Sequence, residues 1–438
     1  MWLQLGGLLL LVTAAVPPAR GDGGPGALTV EECVALARRA APAVRAAGLD
    51  RAAARADSSG AAVGARPTVS LLAGATIAPA WSYDPVLTNL GDYELKLSLD
   101  WTASDGGRLA RARTRSGIDL RASDQRLAIE IRDAGLSAAR LAIEVLRMRE
   151  EADAQRQSAE WLDRLAGAVR AGVSAGTRGP ADSTRVDLER DAVTNALESA
   201  ELDVRTATLE LGSLLGVDGA SLVVRDSADA EQGPRAADST ALLSRIEHLP
   251  EVELARALAE RSRVDLADAE QARAPQVSVT LDAGLAGADL THAVPPELKA
   301  GDPDATFADR LRRDVGASAA VHLRLPVLDA ALSPAARGRK AASDAEAVRG
   351  MAEAARQREA SMTLLARWSA SYRRVVAARQ TFQRAEANLL RAKSLYSAGA
   401  LRLLDLLDSR QVHEEARRRL ADARAENRML QIEAEERR

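Results

Sequence analysis

Residues 93–101 read YELKLSLDW, so every second side chain along this stretch is apolar. The residues between them are Glu94, Lys96, Ser98 and Asp100. Because successive side chains of a β-strand point to opposite faces, strict alternation gives the strand one apolar face and one polar, charged face. The stretch therefore predicts a β-strand whose two faces meet unlike surroundings.

Three other stretches repeat this alternation. Apolar residues on one face and polar or charged residues on the other, over ~9–13 residues, are what a strand of a membrane barrel requires. The apolar positions of the three stretches are Val69, Leu71, Ala73, Ala75 and Ile77, then Val277, Val279, Leu281, Ala283 and Leu285, then Val315, Ala317, Ala319, Val321, Leu323, Leu325 and Val327. Candidates for the barrel interior are Glu94, Lys96, Asp100, Asp282, His322 and Arg324.

A half-buried sheet in a soluble domain explains the alternation equally well. It leaves two hairpins with unpaired edges, however, and an exposed edge is an aggregation hazard in water and is not tolerated in lipid. The smallest bacterial barrels have about eight strands, so a chain with four must pool strands with copies of itself. The alternation therefore favours a shared barrel over a soluble sheet.

The chain carries an internal duplication. Residues 41–74 realign with residues 249–282 at a shift of 208, and residues 111–113 realign with residues 337–339 at a shift of 226. The pattern predicts two copies of helix, hairpin, long helix, turn and helix. The predicted boundaries are a signal peptide at 1–21, a first repeat at 22–216 with its hairpin at 67–104, a connecting segment at 217–245, and a second repeat at 246–438 with its hairpin at 275–327. The longer second hairpin predicts an exposed loop at 287–314.

Long helices follow each hairpin. Residues 107–171 contain no Pro, and Trp368, Val375, Phe382, Leu389 and Tyr396 recur every seven residues, which is a coiled-coil seam. About 60 helical residues reach roughly 90 Å. Each long helix ends in a turn centred on glycine, the residue that tolerates the positive φ needed past a helix end. The two turns contain Gly176 and Gly399.

Composition limits the possible functions. Charged residues make up 28% of the chain with a net charge of −3, so no basic face predicts a nucleic-acid partner. Residues 2–16 form an apolar run that is too short to span a bilayer and predicts a secretory signal, although no Lys or Arg precedes it. The single Cys33 cannot form an intrachain disulfide, and the four His have no metal or catalytic spacing. We therefore expect neither an enzyme nor a bound cofactor or metal.

These features together resemble the TolC-like outer membrane efflux protein family over nearly the whole mature chain. Each motif is weak alone, but their order and duplication are specific. The residues that carry the resemblance are Leu28-Thr29-Val30-Glu31-Glu32 with Ala41-Pro42, Ala65-Arg66-Pro67, Ala274-Pro275, Ser104-Asp105-Gly106-Gly107-Arg108, Leu211-Gly212-Ser213-Leu214-Leu215-Gly216, Tyr396-Ser397-Ala398-Gly399 and Leu404-Asp405-Leu406-Leu407-Asp408.

The resemblance implies a mainly α fold with a small β part. Three chains would share a 12-stranded barrel in outer membrane lipid, with four strands each. Long antiparallel helices would form a tunnel across the periplasm, joined to an inner-membrane pump through a periplasmic adaptor. The turns at Gly176 and Gly399 would form the periplasmic tip. Asp405 and Asp408 match an acidic ring there, Tyr396 a gate tyrosine, and Asp182 an acidic partner.

The chain departs from the family pattern at the gate. Leu401 stands where the family often has an Arg two residues after the second glycine, and Arg402 follows it. Val173 replaces an expected Tyr, and the second copy has Asp329-Ala330-Ala331 in place of the Asp-Gly-Gly turn. The contacts that close the gate therefore do not follow from the resemblance. Nor does the cargo, because drug efflux, metal export and protein secretion can share one conduit.

A coiled-coil scaffold, free in the periplasm or attached to the surface, is the competing hypothesis. A scaffold would explain the heptads but not the four strictly alternating strands. Retention in the outer membrane after a carbonate wash discriminates between the two.

Overall fold

The computed structural model describes residues 27–64, 66–75, 93–225, 232–287, 315–327 and 329–437. The predicted signal peptide at 1–21 and all but the first residue of the predicted loop at 287–314 lie outside the described residues, as does Ile77 of the first alternating stretch.

The described chain is mainly helical. Its helices are α1 (Val30–Ala40), α2 (Pro42–Val63), α3 (Arg108–Ser174), α4 (Pro180–Leu215), α5 (Ala236–Ser244), α6 (Pro250–Glu270), α7 (Leu332–Ser397) and α8 (Leu403–Glu436), with short 3-10 turns at Gly219–Ser221 and Ile246–His248. Its strands are β1 (Leu28–Thr29), β2 (Thr68–Ala75), β3 (Tyr93–Ser104), β4 (Val224–Arg225), β5 (Gln276–Gly287) and β6 (Val315–Arg324). None of the described helices combines the length and the apolar character needed to cross a membrane.

Proline and glycine set several helix ends. Pro42, Pro180 and Pro250 begin α2, α4 and α6, where the missing N–H would have no helical partner in any case. Gly216 ends α4 in the left-handed region with φ 69°. The strand-to-helix turn before α3 is held by Asp105, whose Oδ1 accepts a hydrogen bond from the Gly107 amide at 2.9 Å. Because these signals are local, the helix ends follow directly from the sequence.

The second copy keeps the same turn chemistry without the glycines. Asp329 Oδ1 accepts from the Ala331 amide at 2.9 Å, which repeats the bond between Asp105 and Gly107. The Asp side chain therefore defines the start of both long helices, and the Gly-Gly pair is not needed for that bond.

Four strands form one antiparallel sheet in the order β2-β3-β5-β6, while β1 and β4 form a separate parallel pair. The pairing of β3 with β5 joins the two copies of the repeat. The register sets Lys96 opposite Gly284, Ser98 opposite Asp282, and Asp282 opposite Ser318. The six predicted interior residues therefore share one face of the sheet, namely Glu94, Lys96, Asp100, Asp282, His322 and Arg324.

The last strand is shorter than its sequence pattern predicts. Strand β6 ends at Arg324, so Leu325 and Val327 lie outside it although they continue the alternation. Pro326 explains the early end, because proline has no N–H to donate to the ladder.

The chain forms two compact units, and neither is contiguous in sequence. The first unit comprises the described residues within 1–40, 135–232 and 371–429, and the second comprises those within 41–134, 233–370 and 430–438. Helices α3 and α7 contribute residues to both. The units therefore cut across the predicted repeat boundaries, which stay a prediction.

The predicted heptad seam of α7 packs inward. Trp368, Val375 and Leu389 are 2%, 1% and 7% exposed, and Phe382 and Tyr396 are half-buried. In the second unit Trp368 packs with Leu242 and Leu364. In the first unit Leu389 joins a larger cluster that reaches the two glycine turns. The interpretation of this seam as structural packing is confirmed.

Two glycines that face each other across β5 and β6 provide a matched test of the sheet. A Cβ at Gly284 would lie 2.7 Å from the Lys96 Cα and would meet the Leu95 carbonyl oxygen, whereas a Cβ at Gly316 would have nothing within 4 Å. We expect Gly284→Ala to lose about 1–3 kcal/mol, because the backbone of β3 must shift. Thermal unfolding in detergent, followed by circular dichroism, measures the loss. Gly316→Ala is the control, and an equal loss there would contradict the packing argument.

Candidate functional site: the paired glycine turns

The first glycine turn links α3 to α4. Gly176 has φ 72°, a conformation that side chains with a Cβ rarely adopt. The carbonyl oxygen of Gly172 accepts from the amides of Thr177 and Arg178 at 2.9 and 3.2 Å. These bonds satisfy a carbonyl that the end of α3 would leave unpaired.

The second glycine turn links α7 to α8 in the same way. Gly399 has φ 74°, and its amide donates to the Tyr396 carbonyl oxygen at 3.0 Å. The Ala400 amide donates to the Leu395 carbonyl oxygen at 2.8 Å. Both predicted tip glycines therefore terminate a long helix through the left-handed conformation.

One hydrophobic cluster of the first unit contacts both turns. Val173 from the first turn and Leu401 from the second lie partly buried against it. The buried members of the cluster are Leu162, Leu165, Ala166, Val169, Val186, Val193, Leu389, Ala392, Leu403, Leu406 and Leu407. The two residues that depart from the family pattern, Val173 and Leu401, thus serve as apolar contacts that hold the turns on a shared core.

Arg178 connects the first turn to Tyr396 directly. Its guanidinium carbon lies 4.4 Å from the centroid of the Tyr396 ring, and its Nη1 donates a hydrogen bond to the phenol oxygen. A cation over an aromatic face is attracted by the ring quadrupole. Gly172 leaves room for this arrangement, since a Cβ there would stand 2.8 Å from the Arg178 Cδ.

The charges around Tyr396 act on its phenol in opposite directions. Burial raises the pKa of Tyr396 and Asp182 raises it further, while Arg178 lowers it, and the net pKa lies above the usual value of 10.0. The phenol is therefore neutral at physiological pH. The structure thus brings together the predicted Tyr396 and Asp182, with Arg178 as a third member of the group.

The predicted acidic pair lies in the first turns of α8. Asp405 is half-buried and its Oδ2 accepts from Arg402 Nε at 3.2 Å, a neighbour three residues earlier. Asp408 is exposed and, among the described residues, makes no hydrogen bond or ion pair. Arg402 is 82% exposed in its side chain, so the pair holds little free energy. Carboxylates at a helix start are also favoured by the helix dipole.

A buried arginine fastens α8 just beyond this acidic pair. Arg410 is 8% exposed, and its Nη1 and Nη2 donate to Ser158 Oγ at 2.7 Å and to Glu189 Oε2 at 2.9 Å. These bonds join α8 to both α3 and α4. The position of the acidic pair is therefore fixed by a charge that cannot leave its partners without a large desolvation penalty.

The predicted interior residues of the sheet carry their own contacts. Glu94 pairs with Lys96 at 2.8 Å, and Thr280 Oγ1 donates to Asp100 Oδ1 at 2.9 Å. Asp282, His322 and Arg324 lie on the same face by register. The face is thus polar and contains both signs of charge.

Sequence reasoning missed Arg178. The residue stands two positions after Gly176, and the family often has an Arg two positions after the second-copy glycine. Comparing the two copies at that position would have found it. The cation expected beside Gly399 is supplied here from the first copy.

Comparison with known proteins gives a consistent result. Residues 34–217 match the model of the family described as outer membrane efflux protein. No curated protein matches the sequence.

Solved structures match over most of the chain. The outer membrane protein VceC of Vibrio cholerae is 15% identical with a TM-score of 0.71, covering 92% of this chain and 94% of that one. The CmeC outer membrane channel of Campylobacter jejuni is 14% identical with a TM-score of 0.75, covering 93% and 85%. The MtrE outer membrane channel of Neisseria gonorrhoeae, in its open state, is 16% identical with a TM-score of 0.65, covering 92% and 88%.

The structural matches cover both repeats, and they show the fold. The family match begins within α1 and covers α2, α3, α4 and the hairpin of β2 and β3. This chain therefore has the fold of these outer membrane channels, and residues 34–217 of it match the outer membrane efflux protein family.

Proposed function

We propose that three copies of this chain form one export channel with a shared 12-stranded barrel. The observation that carries the proposal is the four-stranded sheet, in which β2 and β6 each have a single neighbour within the described residues. In lipid, unpaired backbone N–H and C=O groups cost several kcal/mol each, so the two edges need partners. Pairing β2 of one copy with β6 of the next supplies them, and the resemblance to the family implies that three copies close the ring.

The two faces of the sheet fit this assembly. The apolar face exposes Leu71, Val321 and Leu323 at 68%, 71% and 69%, which is unfavourable in water and favourable against lipid tails. The polar face carries Glu94 and Asp282, which then face a water-filled interior.

The channel exports small molecules or proteins from a gram-negative cell in partnership with a periplasmic adaptor and an inner-membrane pump. The paired glycine turns serve as its periplasmic gate. Support comes from the Arg178–Tyr396 contact, which joins the two turns. If the turns separate, either this contact breaks or Arg178 moves with the Tyr396 ring. In three copies, Asp405 and Asp408 supply six carboxylates around one axis.

Assembly is the first test. Extraction in mild detergent followed by native mass measurement should give three chains per particle. Trp101→Lys, on the apolar face three residues before the end of β3, should reduce the yield of trimer, by less than the roughly 2–4 kcal/mol that a lysine costs at the bilayer midplane. Thr102→Lys, one residue along on the polar face, is the control. A stable folded monomer, or equal effects of the two substitutions, would overturn the shared barrel.

The contact between Arg178 and Tyr396 provides a test of the gate. Arg178→Ala should speed amide hydrogen exchange in both turns about fivefold, because a cation–π contact contributes about 1 kcal/mol to keeping them closed. It should also raise channel conductance in planar bilayers. Arg402→Ala is the matched control and should change exchange about twofold or less, since its partner is an exposed neighbour. Equal effects of the two variants would show that the contact between Arg178 and Tyr396 does not hold the two turns together.

The acidic pair is tested by ion selectivity. Six carboxylates crowded around an axis attract cations, so the channel should be cation-selective and blocked by multivalent cations. Asp405→Asn combined with Asp408→Asn should abolish the block and leave the trimer intact. Asp422→Asn, an exposed carboxylate farther along α8, should change neither property. If the block is unchanged in the double variant, Asp405 and Asp408 stabilise the start of α8 and do not bind the blocking cation.

A further inference from the structure

A half-buried histidine of the first unit packs between α8 and α7. The side chain of His413 is 15% exposed, and the centroid of its ring lies 5.3 Å from that of Phe382 with 40° between the two ring planes. Its Nδ1 is buried and makes no hydrogen bond with the described residues. When the ring takes up a proton, this nitrogen becomes part of a buried charge, which is unfavourable unless it is paired.

The histidine lies behind the second glycine turn, within the pair of helices that this turn joins. Phe382 belongs to the inward seam of α7, and Tyr396 follows it 14 residues later, or about 21 Å along the helix. On α8, His413 follows Asp405 by eight residues, or about 12 Å. A change in the packing at His413 therefore acts on the helix that carries Tyr396.

Charges of both signs surround His413. Burial lowers the pKa of His413 most, and Glu386 of α7 raises it. Arg417 of α8 and Lys393 of α7 lower this pKa further, so that it lies below the usual value of 6.5. Glu414 Oε1 is 4.0 Å from Nδ1, which is beyond hydrogen-bond distance. The ring is therefore neutral at neutral pH, and its apolar contact with α7 is favourable in that form.

The neighbouring Glu414 does not supply a lasting counter-charge in acid. Burial raises the pKa of Glu414, and Arg410 and Arg417 oppose this, but the net pKa still lies above the usual value of 4.5. Glu414 therefore takes up a proton more readily than an ordinary glutamate as the pH falls. A neutral carboxyl group no longer offsets a charge on His413.

The opposite side of α8 is held by bonds that do not involve the histidine. Three arginines of α8 fasten it to α3, and one of them also reaches α4. Arg410 donates to Ser158 Oγ at 2.7 Å and to Glu189 Oε2 at 2.9 Å, Arg417 donates to Gln157 Oε1 at 3.1 Å, and Arg418 donates to Glu151 Oε1 at 3.0 Å. Because α8 is fixed on this side, a charge at His413 weakens its contact with α7.

We propose that His413 is an acid sensor of the channel, whose protonation loosens α7 from α8 and favours separation of the two glycine turns. This inference rests on the gate of the proposed function. The neutral ring packs against Phe382 without a counter-charge, whereas the charged ring gains free energy by regaining contact with water. Since α7 is the helix that yields, the movement acts on Tyr396 and on its contact with Arg178.

The direction of the pH dependence follows from the lowered pKa. A histidine whose pKa is lowered by packing stabilises the packed helices above its usual pKa. That stabilisation is lost as the pH falls through the lowered pKa of His413. Each chain takes up at most one additional proton at this site on opening, so the opening equilibrium constant rises by at most about tenfold per pH unit for each chain.

Conductance in planar bilayers tests the sensor. The conductance of the unsubstituted channel should rise as the pH falls from about 7.5 to about 5, the range in which histidine titrates. His413→Phe keeps a ring beside Phe382 but cannot take up a proton, so it should lose this response. His413→Arg carries a permanent charge and should raise the conductance already at neutral pH. Native mass measurement confirms that each variant assembles.

Three further variants act as controls. His413→Gln is a second neutral substitution, and it should also lose the response if His413→Phe does not assemble. His248→Gln removes a histidine whose side chain is 80% exposed, so it should keep the response. Asp405→Asn combined with Asp408→Asn should keep it as well, which separates the histidine from titration of the acidic pair.

The outcomes distinguish a wrong sensor from a wrong channel. An unsubstituted channel whose conductance does not rise in acid overturns the sensor and leaves the gate in place. A response that persists in His413→Phe or His413→Gln, or that disappears in His248→Gln or in the double aspartate variant, also overturns it. Absence of any trimer or conductance in the unsubstituted protein overturns both the sensor and the proposed function.

Discussion

The antiparallel pairing of β3 with β5 is the interaction on which the sheet depends. It joins the two copies of the repeat through a ladder that runs from Tyr93 opposite Gly287 to Ser104 opposite Val277, with one irregularity near the end. Without this ladder the chain would have two separate hairpins and four unpaired edges. With it, two edges remain, and the alternation of all four strands falls into register, so that every charged side chain of the sheet lies on one face. A single backbone pairing thereby creates both the polar face and the two edges, at β2 and β6, that the proposed shared barrel would pair.

The sequence predicted the faces of the strands but not their order. Period-two alternation determines which side chains share a face, because the side-chain direction is tied to the backbone of each strand. The neighbours of a strand depend on contacts between residues some 180 positions apart, and the four patterns are too alike to rank the possible pairings. The turns that precede the two long helices could be predicted in part from the sequence. Asp105 and Asp329 make the same bond although only one is followed by glycines, whereas the early end of β6 required weighing Pro326 against two further apolar positions.

At the glycine turns, the sequence located the backbone and the structure supplied the contacts. Positive φ at Gly176 and Gly399 follows from residue type and helix length alone. The partner of Tyr396 does not, since Arg178 lies 218 residues away in sequence and reaches the ring only because both turns pack on one core. The departures from the family pattern are then coherent. Val173 and Leu401 add apolar contact to that core, and the cation that the second turn lacks at position 401 comes from the first turn.

Helix α7 shows why one of its two seams was visible in the sequence and the other was not. The inward seam contains Trp368, Phe382 and Tyr396, whose size and seven-residue spacing are conspicuous. The outward seam places Val376 directly after Val375, and Leu390 directly after Leu389. Adjacent apolar residues lie about 100° apart around a helix axis, so a periodicity argument assigns them to one broad stripe. Burial separates them: Val375 and Leu389 are 1% and 7% exposed, while Val376 and Leu390 are 40% and 61%. Burial therefore divides adjacent apolar residues of α7 between a packed side and an exposed side, and the spacing in the sequence does not make that division.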